Sequence, residues 1–563
     1  MKEFWSVLTA FQRKLFVILL LFGTTIQSFT MIRSGLIYSY GIGFWGPNGH
    51  DGIWHLALIN QVLKGFPPSH PSFSGELLTN YHYFYDLLVA VISRFSFVPA
   101  INLYFQVFPV LMAFLLGLLS FLVGWKLTKN YWVGFWFAFL NYFAGSFGYF
   151  GGESQFWSMQ PISTQINPPY ALSLVVILSC LLMLISTKKI AIKHIILLSF
   201  LFGILINIKV YAGIIILPGL FVYSIIKLRT NDKKPFVIFL GAFVISTIIF
   251  LLTNRNSAGL LVFQPFWFIH SMIESPDRLY IPKLALARYR FLANGDYPRL
   301  FLVEAIGLFL FLAGNLGTRI IGLIPIIQKI KKRQFEEIEI FFLIGGLIAL
   351  IMPLLFIQKG TSWNTIQFFY YFLFFANYFT ALFLANHFRP GLTRLKILLI
   401  VVFVTFTIPT TFSTLKNYTG LIPPAALPIT EIKALDFLKS QPGGYVLTYP
   451  FSPYIKDSLK LKEPVPLFAY VTSAYVSAFS GKQTFLEDEM NLDISNYDWQ
   501  KRRTNVENFF SGKISEFETW GFLKDNQIQY IYLVSGQQMS KPPKEWEINL
   551  IYDKDSIRIY KAI

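Results

Sequence analysis

Four of the chain's seven histidines, His50, His55, His70 and His82, fall within residues 50–82. The same stretch holds Asp51 and Glu76, two of only five carboxylates in residues 1–231; the others are Glu3, Asp86 and Glu153. In so apolar a chain, this concentration of titratable groups is the strongest local signal of acid–base chemistry. Asp51 and His55 stand four apart, so on a helix they share a face. Asp51 is the foremost catalytic candidate, with His55 and His82 as binding groups. His50 and His70 read as loop residues. Glu153, the only carboxylate between Asp86 and Asp232, is a second acid candidate. A divalent metal on His50, Asp51, His55 and His82 would have suitable donor types but no known ligand spacing. The cations Lys209, Arg288 and Arg290 suit an anionic group such as a lipid phosphate. The bland alternatives are an N-cap role for Asp51, an interfacial aromatic belt for the histidines and tyrosines, and a snorkelling lysine.

Asp51 to Lys64 reads as a helix, with Asp51 as N-cap, Gly65 as stop and Pro67-Pro68 beyond. A second short helix is expected from about Tyr83 to Phe95. Both lie in a long loop, residues 33–100, that must be held at a membrane surface. The composition says so. Of 563 residues, 54% are hydrophobic and 14% charged, and the mean hydropathy is +0.52. Apolar runs of about 18 residues or more recur, the signature of a polytopic membrane protein. A cytosolic enzyme is excluded, and the single cysteine, Cys180, allows no internal disulfide.

The net charge of +18 arises entirely in residues 1–412, in short basic clusters between apolar runs. These are Lys126/Lys129, Lys188/Lys189/Lys193, Lys227/Arg229/Lys233/Lys234, Lys329/Lys331/Lys332/Arg333 and Arg389/Arg394/Lys396. The positive-inside rule places them all on the cytoplasmic side, and no nucleic-acid groove is needed to explain them. Eleven spans result: 15–32, 101–124, 131–148, 169–186, 194–207, 212–226, 235–253, 300–322, 338–357, 365–386 and 396–412. The first reads as an uncleaved span with a cytoplasmic N-terminus, and an odd count puts the C-terminus outside. Ile195 to Ile226 is too long for one helix and too short for two standard ones, so a hairpin is expected with its turn near Asn207–Gly213 at membrane depth. Lys209 sits in that turn, and a lysine at such depth is a functional hypothesis by default.

Several of these segments together resemble a known superfamily. They are His50-Asp51-Gly-Ile-Trp-His55, Gly65-Phe-Pro-Pro68, Asn80-Tyr-His-Tyr-Phe-Tyr-Asp86 and Lys209-Val-Tyr-Ala-Gly213. The layout resembles the GT-C membrane glycosyltransferases, which take sugars from polyprenyl-phosphate carriers. Ser362-Trp-Asn-Thr-Ile-Gln367 and the mixed tail are similar to YfhO-type bacterial members. The resemblance implies a GT-C-like transmembrane domain over 1–412, Asp51 as catalytic base and, by position in the second outer loop, Glu153 as second acid. It implies an inverting hexosyl- or pentosyltransferase on the outer face of a prokaryotic plasma membrane. The donor would be a polyprenyl-phosphate-linked sugar and the acceptor a cell-envelope glycan, lipid or protein. One isolated Asp51 stands where some members carry an acidic pair, a departure that bears on divalent-metal binding. The competing readings are a lipid-linked-sugar flippase or transporter, and a non-catalytic membrane scaffold presenting the tail. Against a transporter stand the odd span count and the absence of a visible inverted repeat.

Residues 413–563 carry 17 basic and 17 acidic side chains and read as an extracytoplasmic α/β domain. Helices are expected at 430–440, 501–510 and 516–526, strands at 444–449 and 528–534, and a hairpin joining 549–552 to 556–561. The Glu487-Asp488-Glu489 run reads as a solvated face or an acceptor contact.

Overall fold

The computed structural model describes residues 8–187, 190–255, 257, 259–387, 393–513, 515–540 and 548–562. Lys188, Lys189 and Arg389 of the basic clusters lie outside them. The chain divides into two compact units. One comprises residues 1–30, 109–252 and 258–419; the other comprises 31–108, 253–257 and 420–563.

The first unit is helical. Among the described residues nine helices are long and apolar enough to cross a membrane. The two remaining expected spans are present but shorter: Tyr131–Phe143 with 13 residues and Ile192–Ile208 with 17. At 1.5 Å per residue these measure only about 20 and 26 Å, less than a bilayer core. Tyr131–Phe143 ends before the expected 148 because Ala144 turns extended, and the N–H of Gly145 bonds Thr407 O at 2.9 Å. The expected hairpin is present with a tighter break than anticipated. Lys209 alone leaves the helical region (φ −156°, ψ 114°), and Val210–Arg229 runs for a full 20 residues. Helix Gln367–His387 lies at the centre of this unit, packed on Glu337–Leu355 and Tyr131–Phe143. The multi-pass helical architecture follows directly from run length, because every backbone polar group in lipid must be satisfied within its own helix.

The second unit joins the first outer loop to the tail, whereas a boundary at 412 would have grouped residues 33–100 with the spans. Two features make the join. Strand Gly41–Phe44 pairs antiparallel with Ala425–Pro428, which pairs parallel with Val465–Pro466. At Gly41 (φ +126°) a Cβ would lie 2.0 Å from Leu427 O, so only glycine allows this pairing. The second feature is Phe73, 5% exposed, which enters the tail's hydrophobic core with Leu447, Phe485, Phe509 and Ile531. A second sheet runs in the spatial order Asn549–Lys554, Ile557–Lys561, Ile528–Leu533, Tyr445–Thr448, with only the last pair parallel. Helices Ile429–Ser440, Gln500–Ser511 and Glu516–Asp525 complete the α/β tail close to their expected bounds.

Candidate active site

Helix Asp51–Val62 begins one residue earlier than the capping reading requires. The N-cap position is His50, and Asp51 is the first helical residue. Its carboxylate still gains from the helix dipole at that end. The side chain is 54% exposed, and Asp51 Oδ1 lies 2.8 Å from His50 Nδ1. The other imidazole nitrogen, Nε2, lies 3.1 Å from Oδ1 of Asp488, whose residue is only 1% exposed. Ionised carboxylates can only accept, so both ring nitrogens must donate and His50 is an imidazolium. Burial alone would push its pKa down; the two carboxylates, Asp488 foremost, outweigh that and push it up to about 10.

Asp488 is held for this role. It sits in the left-handed region (φ 52°) and caps Glu489–Ile494, taking Asn491 N at 3.3 Å and Asn491 Nδ2 at 2.8 Å. The Glu487-Asp488-Glu489 run is therefore not a solvated face. Glu487 is buried too, accepting from Val476 N, Ser477 N and Thr484 Oγ1 at 3.1–3.2 Å, and burial pushes its carboxyl up to about 8. Glu489 pairs with Arg503.

The remaining loop histidines pack against neighbouring aromatic side chains. His55 Nδ1 lies 2.7 Å from Asp86 Oδ1, both residues buried, and the imidazole stacks on Tyr104. His82 stacks on Tyr81. His70 is buried between Trp54 and Tyr497, and burial with Arg502 nearby pushes it down to about 3. The structure brings Asp51 together with His50, while the helix turns His55 inward toward Asp86. Among the described residues no group of three or more His, Cys, Asp or Glu side chains could hold a metal. The donors at Asp51 do not fit one either, since both nitrogens of His50 are engaged by carboxylates.

In the helical unit, Glu153 opens a short turn, 153–156, and accepts from Gln160 N at 2.8 Å and Ser163 Oγ at 2.6 Å. Burial pushes its carboxyl up to about 7. Lys209 is 5% exposed; its Nζ donates to Asn167 Oδ1 at 3.2 Å and faces the Tyr211 ring at 5.6 Å. Asn167 Nδ2 in turn bonds Gln367 Oε1 at 3.1 Å, and Gln367 bonds Asn364. Asn167 thus joins the quoted segments 209–213 and 362–367 around one buried ammonium. Arg288 is largely neutralised: its Nε bonds Glu304 at 2.8 Å, and its Nη1 lies 3.7 Å from Glu274. Arg290 is exposed on the same helix, Pro282–Ala293. Arg319, fully buried in the turn Gly317–Gly322, bonds Gln160, Asn315 O and Gly145 O. A lone arginine inside an apolar run was a readable signal for it.

No protein-family model matches the chain, and no curated protein matches it in sequence. Solved structures do match it in fold. The Archaeoglobus fulgidus oligosaccharyltransferase complex with Zn and sulfate superposes with TM-score 0.52 at 13% identity, covering 91% of this chain and 67% of that one. The chain has the fold of the GT-C membrane glycosyltransferases. The same archaeal enzyme, AglB, bound to an inhibitory peptide and a dolichol-phosphate, gives TM-score 0.52 at 12% identity over 93% and 70% of the two chains. The mycobacterial arabinofuranosyltransferase AftD gives 0.50 at 9% identity, over 98% of this chain but 40% of its own length. The likeness in fold thus extends over nearly the whole chain.

Proposed function

We propose that this chain is an inverting glycosyltransferase that moves a sugar from a polyprenyl-phosphate carrier to a cell-envelope acceptor at the outer face of a prokaryotic membrane. The observation that carries the reading is the half-exposed Asp51 carboxylate, fixed by an imidazolium that is itself fixed by Asp488. Such a carboxylate is aimed to take the proton from an acceptor hydroxyl as that oxygen attacks the sugar carbon. The phosphate leaves from the opposite side, so one displacement inverts the configuration. Lys209 and Arg290 are the cations we assign to the phosphate, stabilising charge as it develops. Arg288 has that role only if it leaves Glu304, and Glu153 is better explained as a staple of its own loop.

The packing of the first outer loop with the tail supports the topology. Both must lie on one side of the membrane, so an even number of crossings must separate them. Eleven spans satisfy this, and with the basic clusters inside, loop and tail are outside.

The test is Asp51→Asn. Asparagine keeps an oxygen for His50 Nδ1 but cannot accept the acceptor's proton. We expect transfer from a radiolabelled polyprenyl-phosphate sugar to fall by about 10²–10⁴, with unchanged expression and melting temperature. Near-normal transfer by the folded variant would sink the assignment.

A further inference from the structure

Beside Asp488 the tail carries a cleft of about 560 Å³ including its opening to solvent, of which about 40 Å³ can be reached by the centre of a water molecule. The interior has room for about three waters, or for one hydroxymethyl arm. Its aromatic lining comes from Tyr449, Phe451 and Phe468, all partly exposed, and its hydroxyls from Thr472 and Ser473. Ser473 is 6% exposed, and its Oγ has no hydrogen-bond partner among the described residues. A buried hydroxyl in that state carries a desolvation cost that a ligand hydroxyl would relieve.

The charges at the cleft decide the ligand class. Asp488 and Glu489 line it as carboxylates already paired with His50 and Arg503, and Glu487 as a buried acid held largely neutral, so no free cation faces it from these groups. A phosphate or other anion would find no unpaired cation among these groups and would meet the carboxylate oxygens of Asp488 and Glu489. Aromatic faces with a few convergent hydroxyls suit a neutral, polyhydroxylated ring. Asp488 belongs both to this wall and to the His50–Asp51 chain, so the cleft lies one imidazole ring from the exposed carboxylate.

We propose that this cleft binds a neutral saccharide unit of the acceptor, adjacent to the sugar or group whose hydroxyl reacts at Asp51. The word acceptor rests on the glycosyl-transfer reading; the binding of a saccharide does not. Ring C–H faces would lie on Phe451 and Tyr449, with a hydroxymethyl arm reaching Ser473. The site would select acceptors that already carry at least one sugar.

The experiment uses the full-length protein in lipid nanodiscs, probed with linear trisaccharides of mannose, glucose, galactose and arabinofuranose. Binding is read by saturation-transfer NMR and titration. At least one probe should bind, with Phe451→Ala weakening it about fivefold and Ser473→Ala about threefold. Because Ser473→Ala removes an unpartnered hydroxyl, it should not lower the melting temperature; a serine with a purely structural role would lower the melting temperature and leave the affinity unchanged. Failure of every probe to bind, or equal affinity in both variants and the parent, would overturn the proposal. Saccharide binding that is lost in the variants, alongside full transfer by Asp51→Asn, would support the cleft while overturning the catalytic reading.

Discussion

Replacing Asp488 by asparagine isolates the strongest electrostatic claim. In the parent, His50 has a folded pKa of about 10 against a reference of 6.5. A raised pKa contributes stability that is fully present below the unfolded value and is lost as pH rises through the folded one. The window is therefore pH 6.5 to 10. At about 1.36 kcal/mol per pH unit for one proton, the ceiling on this contribution is about 5 kcal/mol. The imidazole is 10% exposed, so solvent screening removes little of it. Asp488→Asn deletes the larger attractive charge and leaves burial in place, so His50 should titrate far lower and stand neutral near pH 8. Two measurements follow. The melting temperature of the purified parent should decline between pH 7 and 10, and Asp488→Asn should lose most of that slope. Histidine-selective NMR should show His50 titrating far above ordinary histidines in the parent only. Transfer by the variant should also fall at alkaline pH and recover below about pH 6, as the imidazolium that orients Asp51 returns. An identical pH slope in parent and variant, or a parent His50 that titrates near 6.5, would refute the reasoning.

Phe73→Ala should destabilise the loop–tail unit by about 3–5 kcal/mol, seen as a lower melting temperature and faster proteolysis within residues 33–100. Lys209→Met removes the charge but keeps the stem. It should raise the apparent KM for the lipid donor several-fold at unchanged melting temperature, and normal turnover at limiting donor would leave Lys209 a structural ammonium.

The spans were legible because run length and basic clusters are local signals. Even the Lys209 break announced itself as a charge inside 32 apolar residues. Asp51 was legible by rarity, although its place as first helical residue and not cap was not, since a preceding histidine can take the cap position without a side-chain bond. His50 and Asp488 were misread for one reason: they stand 438 residues apart, and neither flanking sequence describes the other. An acidic triplet looks like surface until distant segments fold onto it and supply its partners. Asn167 and Gln367, which complete the surroundings of Lys209, are likewise brought together only by helix packing.

That separation also has a consequence in time. At about 5–20 residues per second, Asp488 is synthesised some 20–90 s after His50. Throughout that interval strand Gly41–Phe44 has no Ala425–Pro428 to pair with, and Phe73 has no core to enter. A growing chain must keep this outer segment from pairing elsewhere while its membrane helices insert. Asp51, the base we propose, gains its orientation through His50 and Asp488 only when the tail arrives. Activity thus acts as a readout of a finished chain, and truncated products left in the membrane would be silent.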